Sequence, residues 1–151
     1  MEIMDGKPYI NQVRNLIMEY MQQLGRDLSF QNINEELKNP VKKYTAPNGE
    51  LLVAAEYGKV MGMVAYHRHT NLRCEMKRLY VKPECRGKNL GEKLTHEIMR
   101  HAKAAGYEEM VLDTIVPLQS AICLYRKLGF LECEPYYNNP MDDVLYFRKM
   151  L

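Results

Sequence analysis

The four cysteines, Cys74, Cys85, Cys123 and Cys133, include no C-x-x-C pair, and only four histidines accompany them in 151 residues. Such spacing excludes a zinc knuckle and a disulfide framework, so reduced thiols and no metal are expected. No apolar run approaches the ~18 residues needed to span a bilayer. Met1 to Asp5 carries acid where a secretory leader would be basic and then apolar. A cytoplasmic protein with no membrane partner is the expectation. Low-complexity tracts and runs of one charge are also missing, which argues against disorder. The net charge of +2 is too small to indicate nucleic acid. Neither G-x-x-x-x-G-K-[ST] nor G-x-G-x-x-G occurs, so the triphosphate loop and the dinucleotide fingerprint are both excluded.

What is present is an ordinary globular composition, with 46% hydrophobic and 26% charged residues. A chain of this length buries a sizeable core without a second folding unit, so one domain over 1–151 is expected. Ile10, Val13, Ile17, Tyr20, Met21 and Leu24 recur at helical spacing and predict a helix over 7–24, stopped by Gly25. Ser29 precedes a second short helix that Asn39 and Pro40 end. After the turn signal at Pro47-Asn48-Gly49, "LLVAAE" and "VMGMVAYH" form a hairpin across "YGK", and "RCEMKRLYV" makes a third strand. A helix follows from Leu90 to Ala105, then the strand "EMVLDT", the helix "LQSAICLYRKL", and two last strands, "FLECE" and "DVLYFRKML". The order describes a mixed α/β domain with helices packed on a central sheet.

Charge is unevenly distributed. Between residues 76 and 103, eight lysines and arginines face three glutamates, a local excess of +5 that leaves −3 for the rest. Within this section "RLYVKPECRGKNLGEKL" runs from a strand through a proline into a basic loop with glycines and then into a helix. A helix N-terminus presents unpaired N–H groups and partial positive charge, which suits an anion, most often phosphate. Gly87 and Gly91 permit close approach, and Arg86 and Lys88 add charge. A plain strand-to-helix turn with solvated lysines satisfies the same residues, and the loop alone leaves both readings open.

Arg86-Gly87-Lys88-Asn89-Leu90-Gly91 resembles the signature [Q/R]-x-x-[G/A]-x-[G/A] of the GNAT superfamily of N-acetyltransferases, with Asn89 in place of the usual small residue. "AICLYRKLGF", residues 121–130, is similar to that family's late helix, which carries a tyrosine and ends at Gly-Phe. Leu118 stands where many members have asparagine. The resemblance implies a central sheet splayed between its middle strands with helices on both faces. It implies acetyl-coenzyme A as cofactor, held along Leu79, Tyr80 and Val81 and by the loop Arg86, Gly87, Lys88, Asn89, Leu90, Gly91 and Glu92. The pantetheine arm would pair like an added strand with Leu79 and Val81, and the Leu79 N–H would face the acetyl oxygen.

The same resemblance implies direct transfer of acetyl to a primary amine. Glu75, eleven positions before Arg86, is the expected general base, and partial burial would raise its pKa while Lys77 and Arg78 lower it. Its bland alternative is an ion pair with Lys77 or Arg78. Tyr125 is the expected donor to the departing thiolate, against a packing role beside Ile122 and Leu128. Phe30, Gln31, Tyr136, Tyr137 and Asn138 are expected to line the acceptor pocket, because early helices and last strands flank the reactive end of the cofactor. Cys123 and Cys133 are read as small buried hydrophobes. A small-molecule acceptor is preferred to a protein, with a non-catalytic acyl-coenzyme A sensor as the alternative. A homodimer stays open.

Overall fold

The computed structural model describes residues 1–151. The sequence folds as β1 (Glu2–Asp5), α1 (Ile10–Leu24), α2 (Ile33–Lys38), α3 (Pro40–Lys43), β2 (Gly49–Glu56), β3 (Lys59–Arg68), β4 (Arg73–Val81), α4 (Leu90–Ala104), β5 (Glu109–Ile115), α5 (Gln119–Lys127), β6 (Leu131–Cys133) and β7 (Val144–Met150). Two elements exceed expectation. β1 adds an edge strand to β2, and Pro40, read as a stop, opens the one-turn α3, a position where proline lacks no needed donor.

One seven-stranded sheet runs in the order β1-β2-β3-β4-β5-β7-β6. Only β4 and β5 pair in parallel. Alternate residues of the middle strands feed two cores. Leu52, Ala54, Val64, Cys74 and Met76 pack with Leu94, Ile98 and Ala102 of α4. Leu51, Val53, Met63 and Ala65 pack with Val13, Leu16 and Ile17 of α1 and with Ile33 of α2. Both sheet faces are covered, which is why β2 and β3 read as nearly continuous apolar runs. Each such side chain contributes about 1.5–3 kcal/mol by leaving water.

The feature that creates a site lies in the middle of this sheet. β4 and β5 are in register only at Arg73–Glu109, Cys74–Met110 and Glu75–Val111. β4 continues to Val81 and β5 to Ile115, yet no further pairs form, so the strands diverge and one edge of β4 has no strand partner from Met76 onward. The β3–β4 ladder slips in the same region. Ala65 faces Lys77 and Met63 faces Tyr80, so two residues of β3 span three of β4. Arg78 supplies the extra residue at φ +61, a left-handed angle uncommon for a non-glycine residue and typical of a bulge beside a functional site.

Candidate active site

Two adjoining spaces follow from the divergence. A cavity of about 100 Å³ lies in the fork, between Lys77, Arg78 and Leu79 of β4 and Leu112, Asp113 and Thr114 of β5, with Tyr20, Gln31, Tyr125 and Asn139 among its walls. A groove of about 410 Å³ continues from it past Leu79, Tyr80 and Val81 to Arg86 and Gly91, bounded opposite by Gln119, Ser120 and Leu124. Tyr20, Leu24, Leu79, Leu118 and Ala121 border both.

At the groove's end the loop has the geometry an anion needs. Gly87 and Asn89 take left-handed angles, φ +81 and +59, and Asn89 caps α4 with no side-chain hydrogen bond to its first turn. Asparagine tolerates this angle better than most residues, so the loop keeps its path with Asn89 in place of the usual small residue. Carbonyls of Lys82, Pro83 and Asn89 take the amides of Cys85, Arg86 and Lys93, while the amides from Gly87 to Glu92 have no protein acceptor. A run of free N–H groups at the head of a fifteen-residue helix fits a diphosphate. Gly91 borders the groove, with Leu124 and Val81 the nearest atoms to a Cβ placed there, at 3.8 and 3.9 Å.

Arg86 departs from its expected place. Its Nε donates to the Val81 carbonyl at 3.0 Å and its Nη2 to Gln23 Oε1 at 2.6 Å, with the guanidinium 5.6 Å over the Tyr80 ring. It thus occupies the carbonyl assigned to the cofactor's arm, though both bonds are solvent-exposed. Glu92 pairs with Lys127 at 2.9 Å, tying the first turn of α4 to α5.

Tyr125 is 7% exposed, packed edge-on against Phe130, and borders the fork cavity. Its hydroxyl makes no hydrogen bond within the protein. Burial pushes its pKa upward, so the hydroxyl stays protonated and available as a donor.

Glu75 stands beside Lys77, as its alternative reading had it, with two further partners that were not expected. It is 6% exposed, His67 Nε2 lies 2.7 Å from Oε1, the Tyr136 hydroxyl donates to Oε2, and Lys77 Nζ is 3.9 Å away. Burial pushes the carboxyl up, but the His67 hydrogen bond, the Lys77 charge and Tyr136 outweigh it and leave it at about 2. Of the two opposed influences expected, the lowering one prevails, through Lys77 as expected and through His67 and Tyr136, which were not. Glu75 is not among the cavity walls. Its neighbour Lys77 is 8% exposed, and burial lowers its pKa to about 8 against the upward pull of Glu75.

The five residues expected around the acceptor separate. Gln31 borders the cavity and its Oε1 accepts from Arg78 Nη1 at 2.9 Å. Phe30 packs against the α1 core instead. Tyr136 and Tyr137 turn their hydroxyls to Glu75 and Asp113, and with the exposed Asn138 they line a separate depression along the segment between β6 and β7. The cavity wall is Asn139, one position on, whose Nδ2 donates to Asp113 Oδ2 at 2.9 Å. Asp113, Lys77, Arg78 and Tyr20 were missed. The available signal was two polar residues at strand positions flanked by core hydrophobes, Lys77 in "EMKRL" and Asp113 in "VLDTI". Arg78 closes on Glu36 with Nε and Nη2 at 2.8 and 3.1 Å, and Tyr44 donates to the same carboxylate at 2.9 Å. Cys123 is exposed and Cys133 half-buried, which corrects their reading as core hydrophobes; Cys74 and Cys85 are buried.

Residues 10–130 match the acetyltransferase (GNAT) family. An uncharacterised N-acetyltransferase of Schizosaccharomyces pombe is 47% identical over 141 residues, spanning 92% of this chain and 86% of that protein. Among solved structures, an acetyltransferase of Streptococcus agalactiae superposes with a TM-score of 0.82 at 25% identity, covering 99% of this chain and 98% of that one. An aminoglycoside 6'-N-acetyltransferase complexed with coenzyme A has the same fold, with a TM-score of 0.75 at 14% identity over 99% and 97% of the two chains. With its splayed sheet, amide-lined loop and buried tyrosine, this chain belongs to the GNAT family and is an N-acetyltransferase, an enzyme of a family that uses acetyl-coenzyme A.

Proposed function

We propose that the chain transfers acetyl from acetyl-coenzyme A to a small-molecule primary amine, by direct attack within a ternary complex and with residues 1–151 acting as one catalytic unit. The observation that carries this reading is the fork between β4 and β5, which opens a cavity with Tyr125 among its walls. The small size of that cavity, about 100 Å³, favours a small molecule over a polypeptide.

When bound, acetyl-coenzyme A supplies the activated acetyl thioester. The chain's own residues would do the rest. Free amides from Gly87 to Glu92 bind the diphosphate, and Arg86, released from Val81, adds its charge. The unpaired edge of β4 at Leu79 and Val81 accepts the extended arm as it would a peptide strand. The Leu79 N–H, beside the bulge, is assigned to the acetyl oxygen, where a fixed donor strengthens as negative charge develops. Tyr125 protonates the leaving sulfur.

An alkyl amine has a pKa near ~10 and must lose a proton to react. A carboxylate held at about 2 is a poor direct acceptor, and Glu75 has both oxygens engaged. Glu75 is therefore assigned a positioning role, holding Tyr136 by its hydroxyl and Lys77 by charge. The acid among the cavity walls is Asp113. Tyr137 and Asn139 both donate to its Oδ2, and Oδ1 has no donor within the protein. We assign that oxygen to the acceptor's ammonium, which it orients and whose proton it passes to water.

Thiol release over a panel of amines, with calorimetric titration of coenzyme A alongside, tests the reading. Turnover on at least one small amine is expected. Coenzyme A binding with no turnover on any of them would contradict it and return the chain to an acyl-coenzyme A sensor.

A further inference from the structure

The buried charges near the fork are matched, with one exception. The Arg78 guanidinium is closed by Glu36 and Gln31, and the Glu75 oxygens are taken by His67 and Tyr136. Lys77 is left over. Its side chain is 7% exposed and borders the fork cavity, and its nearest carboxylate oxygen, Glu75 Oε1, stands 3.9 Å away, outside hydrogen-bond distance. No protein group accepts a hydrogen bond from its ammonium, although the residue borders the cavity and only the Glu75 carboxylate stands within ion-pair distance. An ammonium on a side chain this buried gains from a hydrogen-bond acceptor, and the protein provides none, so a ligand that reaches it can. The paired residue on β3 is Ala65, so packing alone asks only for a small apolar contact there.

Across the cavity stands the complementary group. The last paired step between the strands is Glu75–Val111, and Lys77 and Asp113 lie two residues beyond it, on the same face of their diverging strands. They form no ion pair with each other, and Asp113 Oδ1 is without a donor. A lysine without a hydrogen-bond acceptor and a carboxylate with one open oxygen thus border the same small space.

We propose that the acceptor is an amine that also carries a carboxylate, an amino acid or short amino-carboxylic acid, with its carboxylate on Lys77 Nζ and its amine on Asp113 Oδ1. This rests on the amine acetylation proposed above and narrows its substrate class. Two charge-assisted bonds at opposite ends of a cavity of about 100 Å³ orient a short zwitterion. A monofunctional amine would leave Lys77 unmatched, a loss that sites built to bond a polar group penalise heavily. In the transfer, the ammonium loses one proton to solvent past Asp113 and its nitrogen bonds the acetyl carbon. The carbon–sulfur bond then breaks, nitrogen loses a second proton, and sulfur gains one through Tyr125, which is reprotonated from solvent. The products are the N-acetylated acid and coenzyme A thiol.

The test pairs acceptors that differ only in the carboxylate: alanine with ethylamine, leucine with 3-methylbutylamine, phenylalanine with phenethylamine. Thiol release gives kcat/KM for each, and calorimetry gives binding of each acceptor to protein saturated with coenzyme A. For at least one pair the wild type is expected to favour the acid by about ten- to a hundred-fold, the range a charged hydrogen bond supplies. Lys77→Met should bring that ratio close to unity in both rate and binding, and Lys77→Arg should restore part of it. Wild-type preference for the decarboxylated partners, or a ratio that survives in Lys77→Met, would overturn the assignment. Should Lys77→Met not fold, the wild-type ratio and calorimetry decide alone. Transfer to plain amines only would sink this inference and leave amine acetylation standing, whereas no transfer to any amine would sink both.

Discussion

The two ends of the fork are built from different materials. The cofactor end is mainly backbone from one continuous stretch, the open edge of β4 and the amides from Gly87 to Glu92. The acceptor end is side chains from five separated places: Gln31, Lys77 and Arg78, Asp113, Asn139, and Glu36 behind them. Backbone recognition depends on a loop's path, and many side chains are compatible with one path. Side-chain recognition depends on a network in which each charge is held by another. Change at the acceptor end is therefore expected to cost stability as well as activity, and change at the cofactor end chiefly affinity.

The largest effect expected is on Arg78 and Glu36, whose side chains are both 2% exposed. Arg78→Met leaves the Glu36 carboxylate buried without its partner and should destabilise the fold by roughly 3–5 kcal/mol. Denaturant unfolding measures this, and a loss below about 1 kcal/mol, ordinary for a surface pair, would erase the contrast between the two ends.

Glu75 is next. Its folded pKa of about 2 lies below the ordinary 4.5, so the stability it confers is complete above pH 4.5 and is lost as pH falls toward 2. Linkage makes that about 3 kcal/mol. Wild type should lose this increment on acidification, and Glu75→Gln should start without it and show a flatter acid limb. Because the group titrates so low, the substitution should leave the rate profile near neutral pH in the same position. A displaced profile would restore Glu75 as the base.

Two smaller effects separate chemistry from binding. Tyr125→Phe should lower kcat about a hundred-fold, the lower range for a proton donor, with coenzyme A affinity within about two-fold. Unchanged kcat would reduce Tyr125 to packing. Gly91→Val puts two methyl groups into the groove beside Val81 and Leu124. It should weaken coenzyme A by about ten-fold, or roughly 1.4 kcal/mol, without altering the melting temperature by more than a few degrees.

The same contrast explains what the sequence made legible. The signature loop was readable because glycines and an asparagine at fixed spacing report a backbone path, and Gly87 and Asn89 do take left-handed angles. Helices were readable from their apolar period and the inner strands from short apolar runs between turn signals. The four-residue β1 is too short to show alternation, and Pro40 was taken as a terminator although a proline also suits a first helical position. At the acceptor end, local pattern carries little information. Tyr136 and Tyr137 have the look of pocket residues, but their hydroxyls are spent on Glu75 and Asp113, while Lys77 and Asp113 sit in strands where a charge is easily read as solvated. Which of two adjacent asparagines faces inward depends on how the segment between β6 and β7 crosses the fork, a long-range outcome that gives Asn139 and excludes Asn138.

Backbone amide exchange with and without coenzyme A addresses the cofactor end most directly. Amides from Gly87 to Glu92, free of any protein acceptor, should exchange fast alone and become protected together when coenzyme A is added, with Leu79 and Val81 following. Saturating binding that leaves the exchange of the Gly87–Glu92 amides unchanged would contradict the assignment of this loop as the diphosphate site.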